Sequence, residues 1–141
     1  MPPAECRDDR VAILDEDSLL RRIPPLWWVP GQDGEPRPTS QSFRDEELSV
    51  VQAKAKADPC VVLNGHQGFA LVRFRAGVPR EHALRVCTDP LPDEPAHALV
   101  AGKKTGTITA ALVKASEWVV PPEAAPRADA PDAAKPSPGA P

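Results

Sequence analysis

Proline decides where regular structure can run in this chain. Its ring fixes φ and removes an amide donor, so it stops helices and stays off central strands. The 19 prolines among 141 residues are unevenly spread. Seven fall in residues 121 to 141 together with seven alanines. That Pro/Ala alternation offers too little apolar side chain to bury, and the segment reads as a disordered, extended tail. Pro24 to Pro38 frame Trp27-Trp28 and the loop after them, and Pro90, Pro92 and Pro95 impose an extended loop before His97. What remains is a flexible N-terminus over residues 1 to 10 and a stretch from 11 to 120, long enough for one domain with a modest core.

Within that stretch the apolar pattern predicts a small α+β domain, a mixed or antiparallel sheet of about four to five strands with two main helices. Phe69 to Arg75 alternates, with Ala70, Val72 and Phe74 opposite Leu71, Arg73 and Arg75, as a half-buried strand should. Leu26 to Val29, Leu84 to Cys87 and Ala96 to Ala101 read as further strands. Ser18 to Ile23 fits a helical turn or a strand equally. The first helix is expected over 43 to 57, with Ser42 three residues before Asp45 as a weak capping box, acids in its first turn, Leu48, Val51 and Ala55 on one face, and Pro59 as its stop. Pro79 is expected to open a short helix through Leu84. The second main helix spans 105 to 117, where Ile108, Ala111, Leu112 and Ala115 keep helical spacing, and Trp118 to Val120 comes after it as a strand or helix tail.

Charge and composition exclude several function classes. Formal net charge is −3, so no global field draws the chain to nucleic acid or an anionic membrane. Arg73, Arg75, Arg80 and Arg85 cluster in sequence, but Phe74 points to the other side of the strand and only Phe69 lies nearby, which argues against a base-stacking platform. There is no tyrosine, so no phenol serves as acid, base or nucleophile. Cys6, Cys60 and Cys87 are odd in number and lack metal-ligand spacing, so no metal or cofactor is expected. With no basic and apolar leader and no apolar run of membrane-spanning length, the sequence reads as a soluble cytoplasmic protein with reduced thiols.

Three groups of residues carry what chemistry there is. Lys103, Lys104 and Thr105, in the turn Gly102 to Thr107 between a strand and a helix, are candidates to hold an anion. The turn is not a Walker loop, since His97 stands where the first glycine belongs. His66, in a glycine-flanked turn, and His97, with Lys103, are the candidate catalytic set: two imidazoles as base and acid and an ammonium for the developing charge would serve metal-free phosphodiester cleavage. Trp27 and Trp28 are the candidate interaction residues, because neighbours on a strand face opposite ways and one indole is left outward.

Arg21-Arg22 followed by Thr39-Ser40-Gln41-Ser42 resembles the ADP-ribosyltransferase pattern of an early-strand arginine, a serine-bearing strand and a later glutamate. The resemblance implies NAD as substrate, with Arg22 on its phosphate, Ser40 or Ser42 at the nicotinamide ribose, and Glu81 or Glu117 orienting the reaction. The leading expectation is nevertheless a non-enzymatic protein-interaction or accessory module of a bacterial-type cytoplasmic system, with a protein partner and no membrane. The alternative is a small enzyme acting on a phosphate-bearing substrate, a toxin-like RNase or an ADP-ribosyltransferase-like protein.

Overall fold

The computed structural model describes residues 6–31 and 33–122. Most of the tail expected from residue 121, and the first five residues of the expected flexible N-terminus, lie outside that range. Eight strands are present: β1 Ser18–Ile23, β2 Trp28–Pro30, β3 Pro36–Pro38, β4 Glu47–Gln52, β5 Ala70–Arg75, β6 Arg85–Thr88, β7 His97–Ala101 and β8 Glu117–Val120. Six of them form one sheet in the order β6-β7-β4-β1-β5-β8, and β2 and β3 form a separate two-stranded ribbon. Every pairing is antiparallel. The helices are α1 Pro59–Val62, α2 Gly77–Glu81 and α3 Gly106–Ala115, with a 3-10 turn at Ser40–Phe43.

The mixed α+β architecture is as expected, but the strand count of four to five is too low. The strand expected over Leu26 to Val29 is present as β2, but its partner β3 in the proline-rich loop and β4 are not among the expected strands. β2 and β3 carry prolines that a two-stranded ribbon tolerates because both its strands are edges. The helix expected over 43 to 57 is absent, since β4 occupies its middle. Of the three apolar residues at helical spacing, Leu48 and Val51 lie on opposite faces of β4 and Ala55 is exposed in the turn after it. Leu48 and Val50 enter one core cluster while Val51 enters another on the opposite side. Being flanked by β7 and β1, β4 needs both faces apolar, which blurs a period of two. Among the described residues only α3 exceeds five residues as a helix, where two main helices were expected.

The sheet's first face, built from Leu19, Ile23, Leu48, Val50, Val72, Phe74, Val86 and Val100, packs with Ile13, Phe43 and Leu112 into the main core. Arg21 leaves β1 on this side and donates from Nε to the Ser42 carbonyl at 3.0 Å. Ser42 does not cap a helix. Its Oγ donates to the Trp27 carbonyl at 3.2 Å and ties the ribbon down. The second face is covered only in part, by Val62 of α1 and by Ala96 over Leu20, Val51 and Leu71.

The expectation of reduced thiols is also corrected. Cys6 and Cys87 are joined in a disulfide across 81 positions, and Cys60 is the free, exposed cysteine. Their separation in sequence hid the pairing. Arg80, its side chain almost fully buried, donates from Nε to Asp8 at 2.7 Å, from Nη1 to Asp15 at 2.8 Å and from Nη2 to the Asp9 carbonyl at 3.1 Å. Residues 6 to 17 therefore form a strap that is bound to β6 over residues 6 to 9 and runs from there to Asp17 over α2 and the core.

Candidate functional site

The two histidines reach a common neighbourhood on the second face, with different company from that expected. Adjacent strand residues leave opposite faces, so Arg22 points away from Arg21. Its Nε donates to the Val62 carbonyl at 2.7 Å and its Nη2 to Glu94 at 3.0 Å. The other oxygen of Glu94 accepts from Lys56 at 2.5 Å. Glu94 is partly desolvated, which raises its pKa, but the Lys56 and Arg22 hydrogen bonds overcome that and hold the carboxyl below its usual range. His66 lies in the field of this cluster. Burial depresses its pKa first and the Arg22 charge adds to that, while Glu94 opposes both. The His97 amide donates to the Glu94 carbonyl at 3.1 Å, and its ring Nδ1 lies 3.0 Å from both the carbonyl and the carboxylate of Asp89. A donating Nδ1 would leave Nε2 as the acceptor.

Lys103 stands elsewhere. It follows the far end of β7, and about 13 Å of strand separates His97 from Ala101 at ~3.3 Å per residue. Within the turn, Lys104 is 9% exposed. Its ammonium donates to the carbonyls of Val100 and Gly102 at 2.9 Å and of Glu46 at 3.2 Å, so all three of its donors are engaged. Burial lowers its pKa to about 8, with Asp45 and Glu46 opposing the shift. Thr105 is the N-cap of α3, its side chain accepting from the Ile108 amide at 3.4 Å. Lys103 is exposed.

The residues that carry the ADP-ribosyltransferase resemblance are divided between the faces. Arg22 is bound to Glu94 on the second face, whereas Ser42 is fully buried beneath the ribbon on the first. Glu117 is bound to Arg73 at 3.1 Å on β8, and Glu81 lies on α2.

The tryptophans sit at the root of the ribbon. Trp27 packs against the main core, and Trp28 is half-buried on β2. The outward apolar side chains here are Leu26, 67% exposed, and Val29, 48% exposed. Leu26 also has φ 74, a left-handed conformation that a branched side chain rarely adopts. The Trp118 indole on β8 donates to the Pro36 carbonyl at 2.9 Å, fastening the ribbon beside β8.

Sequence reasoning missed the sheet edges. At the β6 end, the Val86 amide donates to Asp8 at 2.9 Å and its carbonyl accepts from the Asp9 amide at 2.9 Å, so the strap holds that edge at Val86. At the other end, the outer side of β8 meets no backbone partner among the described residues. Beside the start of β8 lies a hollow of about 410 Å³ walled in part by Ser18, Arg73, Phe74, Arg75 and Glu117. It shares Glu16, Arg75 and Val78 with a neighbouring hollow of about 480 Å³. Arg75 is exposed there, and its guanidinium bonds to no described residue. The alternation that revealed β5 also put Arg73 and Arg75 on one face. Only the strand order adds that β8 stops short of Arg75. No family model, curated protein or solved structure matches the chain.

Proposed function

We propose that this chain is a non-enzymatic protein-interaction or accessory module that receives a partner protein along the β8 side of its sheet. The observation that carries the reading is the contrast between the edges: β6 is bound by the strap, while the outer side of β8 has no described backbone partner. An unpaired edge is a template for another strand, and chains that do not use one usually blunt it with lysine, proline or a covering segment. β8 reads Glu117-Trp118-Val119-Val120, with no lysine or proline inside it and no described covering strand; its short length, Glu117 and the bulge in its pairing with β5 are the blunting features it has. The exposed Leu26 and Val29 near the ribbon widen the apolar surface on this side. The internal engagement of Lys104, Arg22 and Lys56 supports the same reading, because each cation already has its acceptors. The test is a photo-crosslinking amino acid placed at Val119, at Val29 and, as a control, at Thr88 on β6, in cells making the full chain. A discrete protein adduct from Val119 and Val29 but not from Thr88 is expected. Adducts of equal yield from all three positions, or none, would refute the module.

One observation favours a second reading, a small enzyme acting on a phosphate-bearing substrate. His66 lies in the field of Arg22 and Glu94, and the backbone amide of His97 donates to the Glu94 carbonyl, beside Arg22 and Lys56. This version expects RNA cleavage or NAD turnover that is lost in His97→Ala and in Arg22→Ala. Purified chain inert toward both RNA and NAD would remove it.

A further inference from the structure

We infer that the partner segment is an extended, apolar strand with an acidic residue just beyond its C-terminal end, which Arg75 receives. This rests on the module reading and adds the direction and chemistry of the occupant. Strand polarity sets the direction. β8 runs antiparallel to β5 with Glu117 opposite Arg73, so Arg75 lies two residues past the point where β8 begins. A strand added antiparallel to the outer side of β8 runs in the same direction as β5. It therefore enters near Val120 and leaves near Glu117, at the mouth of the hollow that Arg75 lines. Its side chains alternate between Trp118, which packs with the main core, and Val119 and Val120, which pack with the second cluster. Both surroundings favour β-branched or aromatic residues.

Charge then selects the residue beyond the strand. Glu117 is already matched by Arg73 at 3.1 Å, leaving that pair neutral. Arg75 has no described acceptor, and its guanidinium presents a planar fork suited to a carboxylate. Glu16 also lines the hollow and would repel an acid placed deep in it. The acid is therefore met at the mouth, by the side chain of a residue that comes within the first few positions after the strand leaves β8.

A peptide-display selection on the full chain tests this, using random dodecapeptides tethered at both ends so that no free C-terminal carboxylate is offered. Enriched peptides are expected to carry an alternating β-branched or aromatic run and then Asp or Glu. Arg75→Glu is expected to exchange that preference for Lys or Arg and to weaken the original peptides roughly tenfold. Val119→Pro, its fold checked by circular dichroism, is expected to abolish enrichment. Should that variant fail to fold, hydrogen exchange on the unaltered chain with an enriched peptide replaces it, and slowing of the Glu117 to Val120 amides is expected. Enriched peptides that protect β8 but show no acidic preference, or one unmoved by Arg75→Glu, overturn this inference and leave the module reading standing. Peptides that protect other amides, or no enrichment at all, overturn both.

Discussion

Glu94 and Lys104 are two polar residues whose neighbours determine what their charges do. The Glu94 carboxylate is the acceptor that both Lys56 and Arg22 share. Glu94→Gln leaves those two half-buried cations without their counter-charge, at a cost of about 2 kcal/mol. Because the folded pKa lies below the ordinary value of 4.5, the contribution of Glu94 is complete above that pH and is lost as pH falls through the folded value. Urea unfolding of wild type and variant should differ at pH 7 and converge in acid, whereas a gap independent of pH would rule out the ion-pair account. Lys104 has the same pH sign in a higher window, for a different reason: the fold disfavours its charged form, whereas it favours that of Glu94. Its ammonium is held less readily in the fold, with a pKa of about 8, than in the unfolded chain near 10.5. The unfolded state therefore binds the extra proton between those values, and raising pH across them stabilises the native chain. Lys104→Met removes this dependence and leaves three carbonyls without their donor, costing about 2 kcal/mol at pH 7. The stability gap between wild type and variant should widen from pH 8 to pH 10, and a constant gap would show that Lys104 does not titrate with folding. The sequence identified Lys104 as a residue of interest, but it could not show whether the side chain pointed out toward an anion or back onto Val100, Gly102 and Glu46.

Among the elements, those whose fold depends on nearby residues were the legible ones. β5 alternates because its second face carries Arg73 and Arg75 in solvent, and α3 owes its position to Thr105 at its cap and Leu112 in the core. β4 was misread because burial on both faces removed its alternation and left a helix-like spacing. The strap was not legible at all. It has no regular secondary structure, and its meaning lies in contacts some seventy to eighty residues away, from Arg80 to Asp8 and from Cys6 to Cys87. Closing a loop across 81 positions constrains the unfolded chain strongly, and the Cys6–Cys87 bond should contribute about 4 kcal/mol. Cys6→Ser, or a reducing agent, should lower the melting temperature, and thiol labelling of the denatured but unreduced chain should find one reactive cysteine of the three. Three labelled thiols, with no response of melting to reductant, would show that the bond does not form. Disulfides persist where the surroundings are oxidising, so cysteine usage no longer supports the expected cytoplasmic location.

For the molecule as a whole, the order β6-β7-β4-β1-β5-β8 interleaves strands from distant parts of the chain. No local pattern encodes such an order, because each antiparallel neighbour is chosen by mutual burial across long loops. Only that order makes β8 an edge and brings Arg75 to its open end, so the candidate surface was as hidden as the topology. The same order implies a gradient of local stability. β1 and β4 meet each other only at Leu19–Gln52 and Leu20–Val51, where each is also paired on its other side or buried in a core cluster, so the amides around that junction should open only with global unfolding. At the edges the outcome differs. The Val86 amide is held by Asp8, itself bonded to Arg80, and should exchange slowly for an edge strand. Those β8 amides that face away from β5 have no described acceptor and should exchange fastest of any in the sheet. Reduction of the disulfide should accelerate exchange at Val86 far more than in β8, since Cys6, Asp8 and Asp9 hold β6 whereas only Glu16, at the other end of the strap, borders the hollow beside β8. Native-state hydrogen exchange, read residue by residue before and after reduction, gives the comparison. Equal protection at the two edges in the oxidised chain would show that the strap does not seal β6, and would remove the asymmetry on which the β8 partner surface rests.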